Sequence, residues 1–220
     1  VACSQCERVE QLDPLFSNRA YQLELHDDVD YSGLHQLQQL DLRWSNSCNF
    51  MCVYCIPTLS SSIANELGIK IKSDDVGKEK LMAWALDNQH TLKEVYLAGG
   101  EPLLMKENQE FLKNLDKNVK LRINTNLMCP PQKLDRLITL FQDLKNHGQT
   151  IILRCSIDGT DKQQEWQRAP SIWSQIVSNL EALSSVVDWI IVSITVTPLT
   201  LESFAGLSTW LNQATLPNLL

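Results

Sequence analysis

From residue 38 onward, short β-branched runs alternate with longer segments of helical period, and this alternation limits the fold more than any other feature of the chain. Strands joined by helical crossovers pair in parallel, so the pattern predicts an α/β fold built on a parallel sheet. Five strands are expected, at about Gln39 to Trp44, Glu94 to Ala98, Lys120 to Asn124, Ile151 to Ile157 and Trp189 to Val196. One intervening helix begins near Pro131, sets Leu134, Leu137, Ile138, Phe141 and Leu144 on one face, and stops at Gly148. Another starts after Pro170 and aligns Ile172, Ile176, Leu180 and Leu183. A third opens on Ser73-Asp74-Asp75, an N-cap followed by acidic charge, and the last runs from about Thr200 towards Trp210.

Right-handed crossovers between successive parallel strands generate either an open doubly wound sheet or a barrel, and periodicity does not choose between them. No sixth strand is read before Leu220, which rules out a closed eightfold barrel for this chain. Residues 1–35 show no clear period, carry Cys3 and Cys6, and read as a separate segment from residues 36–220.

A chain of 220 residues, 44% of them hydrophobic, can bury a substantial core. Its formal charge of -7 disfavours a nonspecific grip on nucleic-acid phosphates, which relies on clustered Lys and Arg. The most apolar stretch, Val186 to Pro198, is interrupted by Asp188 and falls short of the roughly 20 apolar residues that cross a bilayer. The expectation is a soluble protein without membrane contact. Residue 1 is Val and no charged-then-apolar leader opens the chain, which reads as an internal start and as a fragment cut at both ends. Seven cysteines, an odd number and tightly clustered, suit metal ligation in a reducing compartment, hence the cytoplasm, better than a disulfide framework.

Each polar constellation falls just after a predicted strand, where parallel α/β folds place their sites. After the first comes Cys48-Asn49-Phe50-Met51-Cys52-Val53-Tyr54-Cys55; after the second, Gly99-Gly100-Glu101-Pro102; after the third, Asn124-Thr125-Asn126; after the fourth, Ser156-Ile157-Asp158-Gly159. Three thiolates without a fourth leave one iron of an iron-sulfur cluster open to a small molecule. The other reading of the triplet is a row of buried thiols on a helix, since the steps fit, but Ser45-Asn46-Ser47 before and Pro57 after favour a loop. A zinc site is the stronger rival: Cys3-x-x-Cys6 with Cys52-x-x-Cys55 makes a four-thiolate set, though it leaves Cys48 unexplained. The glycine pair permits close backbone approach to a ligand and Glu101 can meet a cationic amine; the plain reading is a tight turn with a solvent-facing Glu. Ser156 and Asp158 also fit simple turn formers before Gly159. Cys129 and Cys155 read as small buried hydrophobes, and His26, His35, His90 and His147 form no ligand spacing.

Cys48-x3-Cys52-x-Tyr54-Cys55 after one strand, followed by Gly99-Gly100-Glu101-Pro102 after the next, resembles the radical S-adenosylmethionine superfamily over about Leu40 to Thr197. The resemblance implies a partial (β/α)6 TIM-type barrel, here truncated after the fifth strand and helix. It implies a 4Fe-4S cluster on Cys48, Cys52 and Cys55, with S-adenosylmethionine on the remaining iron. Gly99, Gly100 and Glu101 are then expected to hold the amine of that cofactor. Tyr54, Asn124, Ser156, Asp158 and Arg168 are expected around the rest of it, Arg168 at the carboxylate. Cys3 and Cys6 resemble the remnant of an auxiliary-cluster segment of the twitch or SPASM-like subset, which implies a second cluster; a turn or zinc knuckle fits them equally.

The implied chemistry is reductive cleavage of S-adenosylmethionine to a 5'-deoxyadenosyl radical that takes hydrogen from a substrate, with a flavodoxin or ferredoxin as reductant. A peptide or protein is the leading substrate, and a nucleotide-like or small metabolite the second. A noncatalytic, zinc-stabilised binding module is the third reading. Asn124, Asn126, Thr195 and Thr197 project from strand ends as substrate-facing candidates.

Overall fold

Apolar residues at every second position, as in Val95 and Leu97 or Leu121 and Ile123, need one side of each strand buried, and a sheet with helices packed on that side provides the burial. The computed structural model describes residues 4–14, 17, 20, 24, 37–72, 75–115 and 119–220, with backbone only for residues 4–6. The chain divides into two compact units, Val1–Gln36 and Leu37–Leu220.

The first unit contains helix α1 (Ser4–Leu12), where no period was expected. With Val9 and Leu12 as its main apolar residues, it is too polar for a period to show. The Ser17 hydroxyl donates to the Glu10 carboxylate and accepts from the Ala20 N–H at 2.9 Å. Cys3 and the Cys6 side chain lie outside what is described, as do Ser73 and Asp74 of the expected N-cap.

In the second unit the order is β1 (Gln39–Leu42), β2 (Met51–Cys52), α2 (Ser61–Glu66), α3 (Asp75–Asp87), β3 (Glu94–Leu97), α4 (Lys106–Lys113) and β4 (Lys120–Thr125). There follow α5 (Pro131–Asn146), β5 (Thr150–Ser156), α6 (Asp161–Gln167), β6 (Arg168–Ala169), α7 (Trp173–Ser184), β7 (Trp189–Ser193) and α8 (Phe204–Gln213). The five longer strands form one parallel sheet in the order β1-β3-β4-β5-β7. Chain order equals spatial order, so each crossover advances one strand and no switch point reverses the winding. That is the winding of a barrel wall, and it decides the question periodicity left open in favour of a partial TIM-type α/β fold.

Leu42, Val95, Leu97, Leu121, Ile123, Ile151, Leu153, Cys155 and Ile190 turn to one side of the sheet, against Leu137, Phe141 and Leu144 of α5 and Ile176, Leu180 and Leu183 of α7. The opposite face carries Asp41, Tyr96, Arg122, Asn124, Arg154 and Ser156, each only partly buried or exposed. Two expectations need correction. The helix after Pro170 begins at Trp173, and Ile172 is an exposed N-cap residue, because the preceding Arg168–Ala169 is drawn into an antiparallel pair with Met51–Cys52. A sixth strand, read as absent, is represented by one bridge: Leu219 lies parallel to Ile190, whose N–H donates to Asn218 O at 2.8 Å while the Leu220 N–H donates back at 3.0 Å. A single bridge leaves no period to read. Helices α2, α4 and α6, of six to eight residues, were missed for the same reason. Among the described residues, no helix is long and apolar enough to cross a membrane.

Candidate functional site

Leaving β1, the chain carries the three cysteines in a loop whose backbone is gripped by neighbouring serine hydroxyls. Ser60 caps α2, accepting from the Ile63 N–H at 3.4 Å, and its hydroxyl also donates to Phe50 O at 2.6 Å. The next two serines continue the cradle: the Cys48 N–H donates to Ser61 Oγ at 3.0 Å, and the Ser62 hydroxyl donates to Cys48 O at 2.7 Å. Phe50, 1% exposed, plugs the loop into the protein. Cys52 sits in β2, and the Cys55 N–H closes a turn on Cys52 O at 2.9 Å. The triplet therefore lies in a loop and short strand, not along a helix. The run Ser60-Ser61-Ser62 went unread in the sequence, where an N-cap signal was its only trace.

The glycine pair serves the cysteine loop directly. Gly99 and Gly100 have φ of +79° and +35°, and a Cβ on Gly100 would stand 2.0 Å from Ser47 O. The Glu101 N–H donates to that same oxygen at 2.7 Å. The backbone that comes close here is the chain's own. Glu101 is 1% exposed, which overturns the solvent-facing reading. Its Oε1 accepts from the Leu103 N–H at 3.0 Å and the Thr125 hydroxyl at 2.8 Å, and its Oε2 from the Asn126 N–H at 2.6 Å. Burial pushes its carboxyl up to about 7 against the pull of those three donors. Asn126 then reaches the cysteine loop, donating from Nδ2 to Asn49 Oδ1 at 2.8 Å.

A second clamp closes the other side. Pairing of β2 with β6 sets Cys52 opposite Arg168. Arg168 donates from Nε to Asp158 Oδ2 at 2.7 Å and from Nη2 to Oδ1 at 3.1 Å, both side chains being buried. The Tyr54 hydroxyl donates to Asp158 Oδ2, and the guanidinium carbon lies 5.4 Å from the centre of the Tyr54 ring. Nη1 of Arg168 points at Cys52 Sγ, 4.0 Å away. Burial alone would lower the Arg168 pKa, yet the Asp158 hydrogen bonds and nearby Tyr54 raise it. Burial also pushes the Tyr54 hydroxyl up, as it does the Cys48 thiol, and it takes the Cys52 thiol up to about 11. Ligation by these thiols must therefore displace protons.

A cavity of about 210 Å³ opens between these parts, lined by Cys48, Cys52 and Cys55, by Tyr54, Gly99, Gly100 and Glu101, and by Asn124, Asn126, Ser156 and Arg168. Of the expected cofactor residues only Asp158 is absent from its wall, being occupied by Arg168, Tyr54 and the Thr195 N–H at 2.8 Å. Thr195 and Thr197 do not line it; Thr195 faces Asp158 and Arg168, and the Thr197 N–H donates to Thr200 Oγ1 at 2.8 Å. Cys129 and Cys155 are buried, as expected of small hydrophobes. Among the described residues no three His, Cys, Asp or Glu side chains converge on a single ion.

A five-strand parallel wall with three thiols in the loop after its first strand defines a partial TIM-type α/β fold. The Radical SAM superfamily profile matches residues 42–211, and the chain belongs to that family. The fold is similar to that of Streptococcus suis SuiB bound to S-adenosylmethionine, with TM-score 0.57 and 15% identity over 91% of this chain and 41% of that one. It is also similar to SuiB bound to the precursor peptide SuiA, with TM-score 0.55 and 17% identity over 87% and 39%. Native anSMEcpe with bound AdoMet gives TM-score 0.54 and 18% identity over 83% and 50%. The chain thus spans half or less of the length of these structures. No curated protein matches the sequence significantly.

Proposed function

We propose that this chain is the cofactor-binding part of an enzyme that cleaves S-adenosylmethionine reductively on a 4Fe-4S cluster. The observation that carries the reading is the shared cavity of the three cysteines and the Gly99-Gly100-Glu101 turn. When bound, cluster and S-adenosylmethionine supply a 5'-deoxyadenosyl radical that removes hydrogen from a substrate. Cys48, Cys52 and Cys55 would hold the cluster. Glu101 Oε2, with one internal donor against two on Oε1, is the oxygen free to accept from an amine. Asn124 and Ser156 line the cavity with side chains that have no partner among the described residues, which leaves them for ribose or carboxylate. Arg168, its fork given mostly to Asp158, keeps Nη1 towards the cavity and Cys52.

A peptide or protein substrate and a flavodoxin or ferredoxin reductant complete the reading; the peptide has the support that SuiB, of similar fold, binds its precursor peptide SuiA. Anaerobic loading with iron and sulfide tests the proposal. The chain is expected to take up both in equal amounts with visible absorbance, and Ala at any of Cys48, Cys52 or Cys55 to abolish this while Cys129→Ala does not. A colourless protein that takes up zinc instead would refute it and favour the zinc-stabilised module.

A further inference from the structure

We propose that the sheet face opposite the core carries an anion subsite centred on Arg154, which receives a carboxylate or phosphate group of the substrate. This rests on the cofactor reading above and extends it to the substrate. Along β5, Ile151, Leu153 and Cys155 turn to the core, so Arg154 and Ser156 share the other face. The register sets Arg154 beside Asn124 on one side and Ile191 on the other, and Asn124 and Ser156 line the cavity of the cysteines.

Charge on this face is unbalanced. Arg43 pairs with Asp41 at 2.9 Å, while Arg122 at 2.8 Å and Lys120 at 3.5 Å share Glu94. Arg154 has no hydrogen-bond or ion-pair partner among the described residues. Among the described residues four cations on this face thus meet two acids, in a chain whose formal charge is -7. Arg154 also stands diagonally from Arg122 on the adjacent strand, where like charges repel. A half-buried guanidinium beside another, without an acceptor, lowers stability.

The unpartnered groups are contiguous. Asn124 and Ser156, like Arg154, make no side-chain hydrogen bond among the described residues. The planar Arg154 fork binds an oxyanion through two parallel N–H donors, beside the Asn124 and Ser156 side chains already given to the cofactor. Held there, the anionic end of a substrate borders the cavity that Asn124 and Ser156 line. The two sources of such chemistry are an acidic side chain or C-terminus of a peptide and the phosphate of a small metabolite.

Phenylglyoxal modification of the full chain, read residue by residue by mass spectrometry, tests the subsite without cluster or S-adenosylmethionine. Inorganic phosphate and N-acetylglutamate are the probes, and Arg136 on α5 is the control. Arg154 is expected to be protected about threefold at an anion concentration twice its Kd, with Arg136 unchanged. Protection by N-acetylglutamate assigns a carboxylate, and protection by phosphate alone assigns a phosphorylated substrate. Modification of Arg154 at the same rate with and without either probe overturns the subsite. Thermal stabilisation by the protecting anion is further expected to vanish in Arg154→Gln. Because none of these measurements involves iron, their failure leaves the cluster reading standing, and failure of iron uptake leaves the subsite standing.

Discussion

Glu101 shows how one residue joins structure to chemistry. Its carboxyl caps a short 3-10 turn, Pro102–Leu104, through the Leu103 N–H and ties that turn to Thr125 and Asn126 at the end of β4. Because burial raises its pKa to about 7 from 4.5, the folded chain keeps this proton over a range where the unfolded chain has lost it. The associated stability is fully present below pH 4.5 and disappears as pH rises to about 7. The ligand-free protein is therefore expected to melt at progressively lower temperature between pH 5 and pH 7.5, and Glu101→Gln to flatten that slope. A slope unchanged in the variant would show that another group is responsible. The sequence pointed to Glu101 as a site residue, but two of its three donors, Thr125 and Asn126, lie more than 20 residues away at the end of β4.

At the scale of elements, the cysteine loop is a strap fastened at both edges. One edge is the glycine turn after β3, packed on Ser47; the other is the β2 and β6 pair with the buried Arg168 and Asp158. Gly100→Ala is the sharpest test of the first edge. A Cβ 2.0 Å from a backbone oxygen forces one of the two loops to move, and left-handed φ adds about 1–3 kcal/mol for a residue other than glycine. The variant is expected to lose stability by at least that much in denaturant titrations and to load iron poorly; an unchanged midpoint would contradict the packing. The second edge was invisible beforehand because a two-residue strand has no period, and Arg168 is over 100 residues from Cys52. Tyr54 stood out by its place before the last cysteine, yet its hydroxyl partner, Asp158, could be found only by folding.

Across the second unit, β4 and β5 are paired on both sides, while among the described residues β1 has a neighbour on one side only. Backbone amides of β4 and β5 are expected to exchange hydrogen most slowly and those of β1 faster, since sheet edges open locally at lower free energy. Equal protection in β1 and β4 would show that something covers that edge. The five strand positions, the α5 face of Leu137, Phe141 and Leu144, and the cysteine triplet were all legible, because period and spacing are local properties of a sequence. Strand order, the plug of Phe50, the clamp of Asp158 on Arg168 and the unpaired state of Arg154 were decided by tertiary structure alone. Each depends on which residues far apart in the chain compete for the same buried volume and the same hydrogen-bond donors, and no local pattern records that competition.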